Sequence, residues 1–262
     1  MKQKLIGALC ALSISLCGMS AQAEQNYQDI WWDPDQSGMG FNIGQQDNRI
    51  VIAWYHYDAN SRPTFLSFAG TLSGGVATGS LSRSNGDAPG DNYDPAHVQP
   101  SVAGTATITF SSDTSATFEY DFEGKNGTIP LQRFTHTPLG LSGDFHVSTV
   151  SSWTDCSTAP VPNGSDDDHG LASLSKQNNY HALTVNLSGS GAKCEHSLDL
   201  EQAGAIFSGN GTYFCESGES GQTIVKNLQI TGAGILSADY VLKPYGGGSC
   251  TINEQLAGVR HK

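Results

Sequence analysis

The chain has 262 residues, of which 25 are Asp or Glu and only 13 are Lys or Arg, so its formal net charge is −12. This acidic balance argues against nucleic acid and anionic membrane surfaces as partners. Glycine is abundant, at 31 residues, and no window of a dozen residues has a convincing period of 3.6. We therefore predict an all-β protein with almost no helix.

The chain begins with the features of a secretory leader. Two lysines precede an apolar run, and small residues complete an A-x-A cleavage pattern at Ala23. We predict that residues 1–23 are a signal peptide and that the protein is exported, to the periplasm or beyond. No segment is long and apolar enough for a transmembrane helix, which takes about 20 residues. A lipoprotein modified at Cys17 is the less favoured alternative, because Leu16 fits poorly before such a cysteine.

The next part of the chain, residues 24–137, is predicted to form one small barrel. Residues 50–57 are β-branched and aromatic, and Phe118, Tyr120 and Phe122 alternate with acidic residues, as in strands with one buried face. The short, even spacing of seven or eight strands favours a small antiparallel up-and-down β-barrel, of lipocalin or avidin size, over an open sandwich. The candidate strands are 39–45, 49–57, 63–71, 76–82, 104–110, 116–122 and 128–134.

One stretch of this barrel carries a recognisable motif, WWDPDQSGMGF at residues 31–41, followed by the strand with WYHYD at 54–58. It resembles the WW[ND]P-x-x-SGxG repeat of uncharacterised exported proteobacterial proteins, over residues 27–134. The resemblance implies export and a small β-fold, and it carries over no catalytic residue. A weaker similarity to avidin-type barrels implies a ligand in the barrel mouth, although the tryptophan spacing of a biotin pocket is absent.

A second series of short strands follows a linker at 137–140 and predicts a second barrel over residues 141–262. Four cysteines remain after the leader is removed, all in this half, and an even number in an exported chain indicates two disulfides. If a hairpin is centred between Gly204 and Ala205, Cys194 lies directly opposite Cys215. That leaves Cys156 to pair with Cys250, near the first and last strands. The candidate strands are 141–147, 172–176, 181–187, 195–201, 205–214, 222–230, 235–242 and 251–257.

Residues 33–38 have the D-x-D-x-S-G spelling that opens a calcium loop. The twelfth position, which supplies a bidentate Glu in an EF-hand, is Gly44 here, so an EF-hand is excluded. A calcium site of another kind at Asp33 or Asp35 stays open. The preferred interpretation is structural: an Asp-Pro turn followed by a glycine-dependent bend. No other cofactor is predicted.

The densest acidic run is SDDDH at residues 165–169. Three carboxylates beside an imidazole could bind a divalent cation, but consecutive side chains on an extended segment point in different directions. We therefore predict a solvated loop. The long segment 85–95, which carries Asp87, Asp91 and Asp94, receives the same interpretation and could also cover one end of the barrel.

Six residues are the predicted ligand site at the mouth of the first barrel, together with the 85–95 loop. Aromatic side chains stack on sugars and other flat ligands, although they also pack barrel cores, and core packing is favoured for Trp54. Adjacent residues of a strand cannot both face inward, so one indole of the Trp31-Trp32 pair should be free beside two carboxylates. The six residues are Trp31, Trp32, Asp33, Asp35, Trp54 and Tyr57.

No catalytic motif is visible in the sequence. The eight histidines have no zinc spacing, and the chain contains neither a G-x-S-x-G elbow nor a P-loop. We therefore favour an exported, non-catalytic binding or envelope-associated protein, whose partner is a small molecule, a glycan or a protein. Two alternatives stay open: a protease inhibitor or partner-binding module acting through the second barrel, and a hydrolase whose triad is hidden in the sequence.

Overall fold

The computed structural model describes residues 25–156, 163–246 and 248–261. These residues form sixteen strands and two short 3-10 turns, with no α-helix in the described ranges. The strands make two closed antiparallel barrels in tandem, each with eight strands in up-and-down order. The predicted all-β class and barrel architecture are confirmed. The predicted signal peptide, residues 1–23, lies outside the described residues.

The first barrel runs from a short β1 to β8, and β1 pairs with both β2 and β8 to close the sheet. Strict alternation places one face of every strand inside, as for Ile50, Ile52, Trp54 and His56 of β3. The strands are β1 (Asp29–Trp32), β2 (Gly40–Gln46), β3 (Arg49–Tyr57), β4 (Pro63–Thr71), β5 (Val76–Asn85), β6 (Gln99–Phe110), β7 (Ser115–Phe122) and β8 (Lys125–Arg133).

One end of this barrel, here called the closed end, is sealed by aromatic side chains. The ring of Tyr27 stacks on Phe110 with centroids 3.7 Å apart, and Trp31 lies edge-on to Phe110 and is fully buried. The indole nitrogen of Trp31 donates to the Tyr27 carbonyl at 2.9 Å. Because these rings fill the interior, access to the barrel is confined to the opposite end.

Arg133, the last residue of β8, also lies at the closed end. Its side chain is 1% exposed and its guanidinium lies 5.0 Å from the Trp31 ring. Nη1 pairs with the Asp29 carboxylate at 3.0 Å, and burial lowers the pKa of Arg133 while Asp29 opposes that shift. The remaining donors satisfy the backbone carbonyls of Asn26, Gln28 and Asp113. Arg133 thus holds the chain entry, β1 and the β6–β7 turn together.

The second barrel closes through pairing of its first and last strands, β9 and β16. Its strands are β9 (Gly143–Thr154), β10 (Gly164–Lys176), β11 (His181–Leu187), β12 (Lys193–Ala203), β13 (Ile206–Cys215), β14 (Ser220–Ile230), β15 (Ile235–Pro244) and β16 (Thr251–Arg260). Its interior contains polar as well as apolar side chains. Buried His196, Thr149 and Thr223 lie among apolar side chains such as Phe145 and Leu198.

Two disulfides staple the second barrel. Cys194 and Cys215 are register partners at the end of the β12–β13 hairpin and are bonded to each other. Cys156 is bonded to Cys250, which joins the end of β9 to the start of β16. Both predicted pairings are confirmed: Cys194–Cys215 from the hairpin register, and Cys156–Cys250 as the remaining pair. Such bonds persist in oxidising compartments, which is consistent with an exported protein.

The acidic run 165–169 is not a loop, as its composition predicts, but part of β10. It pairs residue by residue with β9, so that Asp167 faces Val150 and Asp168 faces Thr149. The Asp168 carboxylate accepts the Gly189 and Ser190 amides and the Ser190 hydroxyl at 2.7–2.8 Å. These hydrogen bonds lower the pKa of Asp168. The prediction fails because this part of β10 extends beyond the apolar core: Asp166 and Asp167 are exposed, and the Asp168 charge is satisfied by the 189–190 turn.

The two barrels touch where the closed end of the first meets the β12–β13 hairpin of the second. Asp29 accepts the Ala205 amide at 3.2 Å, and the Gly204 amide donates to the Thr135 hydroxyl at 2.8 Å. Gln202 bonds the linker twice, to the Thr137 carbonyl and the Leu139 amide, each at 2.9 Å. The closed end is therefore also the junction between the barrels, and the opposite end of the first barrel points away from this junction.

Candidate functional site

The open end of the first barrel, here called the mouth, lies opposite the closed end. It is formed where β3, β5 and β7 end and β4, β6 and β8 begin. A pocket of about 350 Å³ opens there. It is lined by His56, Tyr57, Asp58, Ala59, Asn60, Arg62, Thr64, Arg83, Phe122, Glu123 and Lys125. Pockets that hold small organic ligands begin at roughly 300 Å³.

The walls of this pocket come from inward positions at the strand ends. His56 is two residues beyond inward Trp54 on β3, and Phe122 is two residues beyond Tyr120 on β7. Arg83 continues the inward series of Leu81 on β5. Because every second residue of a strand faces inward, the strand ends beyond the apolar core direct polar and charged side chains into the mouth.

Aromatic rings lie beneath the lining of the pocket, and this layer is here called the floor. The Trp54 ring lies 4.7 Å from His56 and 5.5 Å from Phe122, both of which line the pocket. Tyr120 lies 5.0 Å from Trp54, and Phe41 stacks parallel to it from the other side. Contacts on several sides hold the indole in one orientation, so that the floor is preformed.

Three buried nitrogen atoms around the mouth have no hydrogen-bond partner: Trp54 Nε1, His56 Nε2 and Arg83 Nε. The roles of the imidazole atoms follow from its other bond. Nδ1 lies 3.0 Å from the Tyr57 carbonyl, which can only accept, so Nδ1 carries the proton. In the neutral ring this leaves Nε2 as an acceptor. Unpaired buried polar atoms are unfavourable. His56 and Arg83 line the pocket, whereas Trp54 lies beneath its lining.

The charges of the rim are mostly paired with one another. Asp58 binds the Arg62 guanidinium at 2.8 Å and also accepts the Arg62 and Asn60 amides, which together lower the pKa of Asp58. Glu123 binds Nη1 of Arg83 at 2.6 Å. The Lys125 ammonium lies 6.0 Å from the Phe122 ring centroid. In the described part of the chain no carboxylate is within ion-pair distance of Lys125.

The structure separates the two adjacent indoles that the sequence singles out. Trp31 faces inward, at the closed end and away from the pocket. Trp32 faces outward and lies edge-on to Phe134, with centroids 5.1 Å apart. The expectation that the two indoles face opposite ways is met, and neither of them lines the mouth pocket.

The two carboxylates of the motif differ in burial and in hydrogen bonding. Asp33 is buried and caps a 3-10 turn, accepting the Asp35 amide at 3.0 Å and the Gln36 side chain at 2.7 Å. Asp35 is exposed. Gly38 has a φ of +98° and lies against Tyr57, which is 53% exposed at the pocket rim. The motif thus contacts the mouth through the packing of Gly38 against Tyr57.

The 85–95 segment bonds mainly to itself. Asp87 accepts the Asp94 amide at 3.1 Å and lies 2.7 Å from Nδ1 of His97. Asp94 caps a second 3-10 turn, Pro95–His97. Within the described ranges, no group of three or more His, Cys, Asp and Glu side chains is arranged to hold a metal ion.

Of the six predicted residues, Tyr57 lines the pocket, and Trp54 lies beneath the lining, next to His56. Sequence reasoning missed the rest of the site, because His56, Arg83, Phe122 and Lys125 carry no motif. The available signal is positional: each continues an alternating strand by two residues at the same end of the barrel.

Neither the models of known protein families nor the curated proteins with which the chain was compared give a match. In the part of the chain that the structure describes, no helix has the length and apolar character needed to cross a membrane. What the structure defines is the architecture, a tandem of two closed antiparallel β-barrels.

Proposed function

We propose that this protein is an exported, non-catalytic binding protein that takes a small ligand into the mouth of its first barrel. One observation carries the proposal: two residues that line an open pocket, His56 and Arg83, each carry a buried nitrogen atom without a hydrogen-bond partner. Folded proteins rarely leave such atoms unsatisfied. A ligand in the pocket would bring hydrogen-bonding groups next to these two residues.

The geometry also supports binding by a preformed site. The floor residues are held by ring contacts, and the rim turn is held by the Asp58 hydrogen bonds. Little conformational entropy would then be lost when a ligand binds. The second barrel, joined at the closed end, leaves the mouth open.

A fragment panel with neutral, cationic, anionic and sugar members tests this function by protein-observed NMR. We expect binders that shift the resonances of His56 and Phe122. The variant Thr64→Trp, which places an indole in the pocket from an inward position, should abolish that binding. Thr109→Trp is the control, because Thr109 is exposed on β6. The proposal fails if no member of the panel binds, or if Thr64→Trp leaves binding unchanged.

A further inference from the structure

The lining of the mouth pocket reverses the charge balance of the chain. Three permanent cations, Arg62, Arg83 and Lys125, face only two carboxylates, Asp58 and Glu123, although the whole chain has a formal charge of −12. Both carboxylates are within ion-pair distance of an arginine. Lys125 is therefore the cation of the pocket lining that has no carboxylate partner among the described residues.

Two hydrogen-bond donors near the pocket have no partner. Arg83 uses Nη1 for Glu123 while its Nε is buried and unpaired, and Trp54 Nε1 is a second unpaired donor. Arg83 and Lys125 place a guanidinium and an ammonium group in the lining of the same cavity. His56 Nε2 is the single unpaired acceptor, and it suits a ligand hydroxyl.

The shape of the pocket restricts the body of the ligand. Its aromatic boundary consists of Phe122 in the wall and Trp54 beneath it, with ring planes nearly perpendicular at 87°. Flat rings pack against such surfaces in stacked or edge-on contact. A volume of about 350 Å³ accommodates one or two fused rings with a small polar substituent.

From these features we infer that the ligand is an organic carboxylate with a flat, apolar body, whose carboxylate pairs with Lys125 and the Arg83 guanidinium while its ring lies against Phe122. The inference rests on the binding function proposed above and adds the chemical class of the ligand. A charge-assisted bond inside a partly desolvated pocket is stronger than the same bond in water.

Two probes of nearly equal shape test the charge requirement: naphthalene-2-carboxylate and its neutral analogue 2-naphthamide. Isothermal titration calorimetry on the full chain should give at least ~10-fold tighter binding of the carboxylate. Lys125→Met keeps the apolar stem over Phe122 and should remove most of that preference, with little effect on the amide. Lys243→Met removes the same charge from an exposed position of the second barrel and should change neither affinity.

The outcomes separate this inference from the proposed function. Equal binding of the two probes, or a preference that survives Lys125→Met, overturns the anionic ligand class and leaves a binding pocket. If neither probe binds, the ligand class is also overturned, and the mixed fragment panel independently decides whether the pocket binds anything. Should Lys125→Met fold poorly, salt gives the same answer in the unmodified protein, because added NaCl should weaken binding of the carboxylate and not of the amide.

Discussion

His196 is a buried titratable residue inside the second barrel. Its Nδ1 lies 3.0 Å from the Thr223 hydroxyl, and the rings of Tyr213 and Tyr240 flank it. Burial lowers the pKa of His196 to about 4. The folded protein therefore keeps this imidazole neutral over a range of pH in which an unfolded chain protonates it.

This difference makes the stability of the second barrel depend on pH. Above the unfolded pKa of about 6.5 His196 is neutral in both states. Between that value and about 4 only the unfolded chain binds the proton, so the free energy of unfolding falls as the pH falls. The expected loss between pH 7 and pH 5 is roughly 2 kcal/mol. Urea unfolding at several pH values measures it.

His196→Gln removes the titration while keeping a side chain that can bond Thr223. The variant should lose about 2 kcal/mol less than the parent protein between pH 7 and pH 5. Glu254, whose pKa is raised by burial, titrates in both proteins and cancels in the comparison. His169→Gln, at a side chain that is 76% exposed, should keep the parent pH dependence. An unchanged pH dependence in His196→Gln would contradict this account.

At the residue scale, side-chain identity predicted the floor of the candidate site better than its walls. Trp54 and Tyr57 stand out in the sequence because aromatic residues are informative wherever they lie. Which of Trp31 and Trp32 faces inward depends on the register of β1 with β8, and no local signal specifies that register. Lys125 and Arg83 resemble solvated surface charges until closure of the barrel turns them toward one cavity.

At the scale of the element, the two disulfides differ in the length of chain that they close. Cys156–Cys250 spans 94 residues and joins the strands that close the barrel, whereas Cys194–Cys215 spans 21 residues within one hairpin. A longer loop loses more entropy when it is closed in the unfolded chain. On this model the long bridge stabilises by roughly 1 kcal/mol more than the short one.

Paired serine variants compare the two bridges directly. Cys156→Ser with Cys250→Ser should lower the free energy of unfolding by about 4–5 kcal/mol, and Cys194→Ser with Cys215→Ser by about 3 kcal/mol. Urea unfolding of the full chain measures both, and each pair serves as the control for the other. A larger loss from the short bridge would show that native packing, rather than loop closure, determines its contribution.

The ends of the strands were predicted less well from the sequence than their central residues. Strand positions in the core were predicted well, as for 49–57 and 63–71, which match β3 and β4. At the mouth, predicted strands are too short: 76–82 for Val76–Asn85, 104–110 for Gln99–Phe110 and 128–134 for Lys125–Arg133. Hydrophobic alternation is the main signal of a strand, and it fades where inward side chains are polar. The missing ends are where Arg83 and Lys125 lie.

At the scale of the whole molecule, one glycine lies at the contact between the barrels. Gly204 has a φ of +62° in the β12–β13 turn, and a Cβ there would overlap the Asp29 carboxylate and crowd Arg133. Asp29 is not free to move aside, because it binds both Arg133 and the Ala205 amide. The fit of the two barrels therefore depends on the absence of a side chain at this position.

Gly204→Ala should separate the barrels locally, and Gly191→Ala provides a matched control. Gly191 has a φ of +69° in a neighbouring turn, with open space around its Cβ position, so both variants share a left-handed backbone penalty of about 1 kcal/mol. Only Gly204→Ala also disrupts the Asp29 contacts, and it should lose roughly 1–2 kcal/mol more in urea unfolding. Amide exchange at Ala205 should accelerate in Gly204→Ala alone. Equal losses in the two variants would mean that the junction adds nothing to stability, because strain in the turn would then explain both.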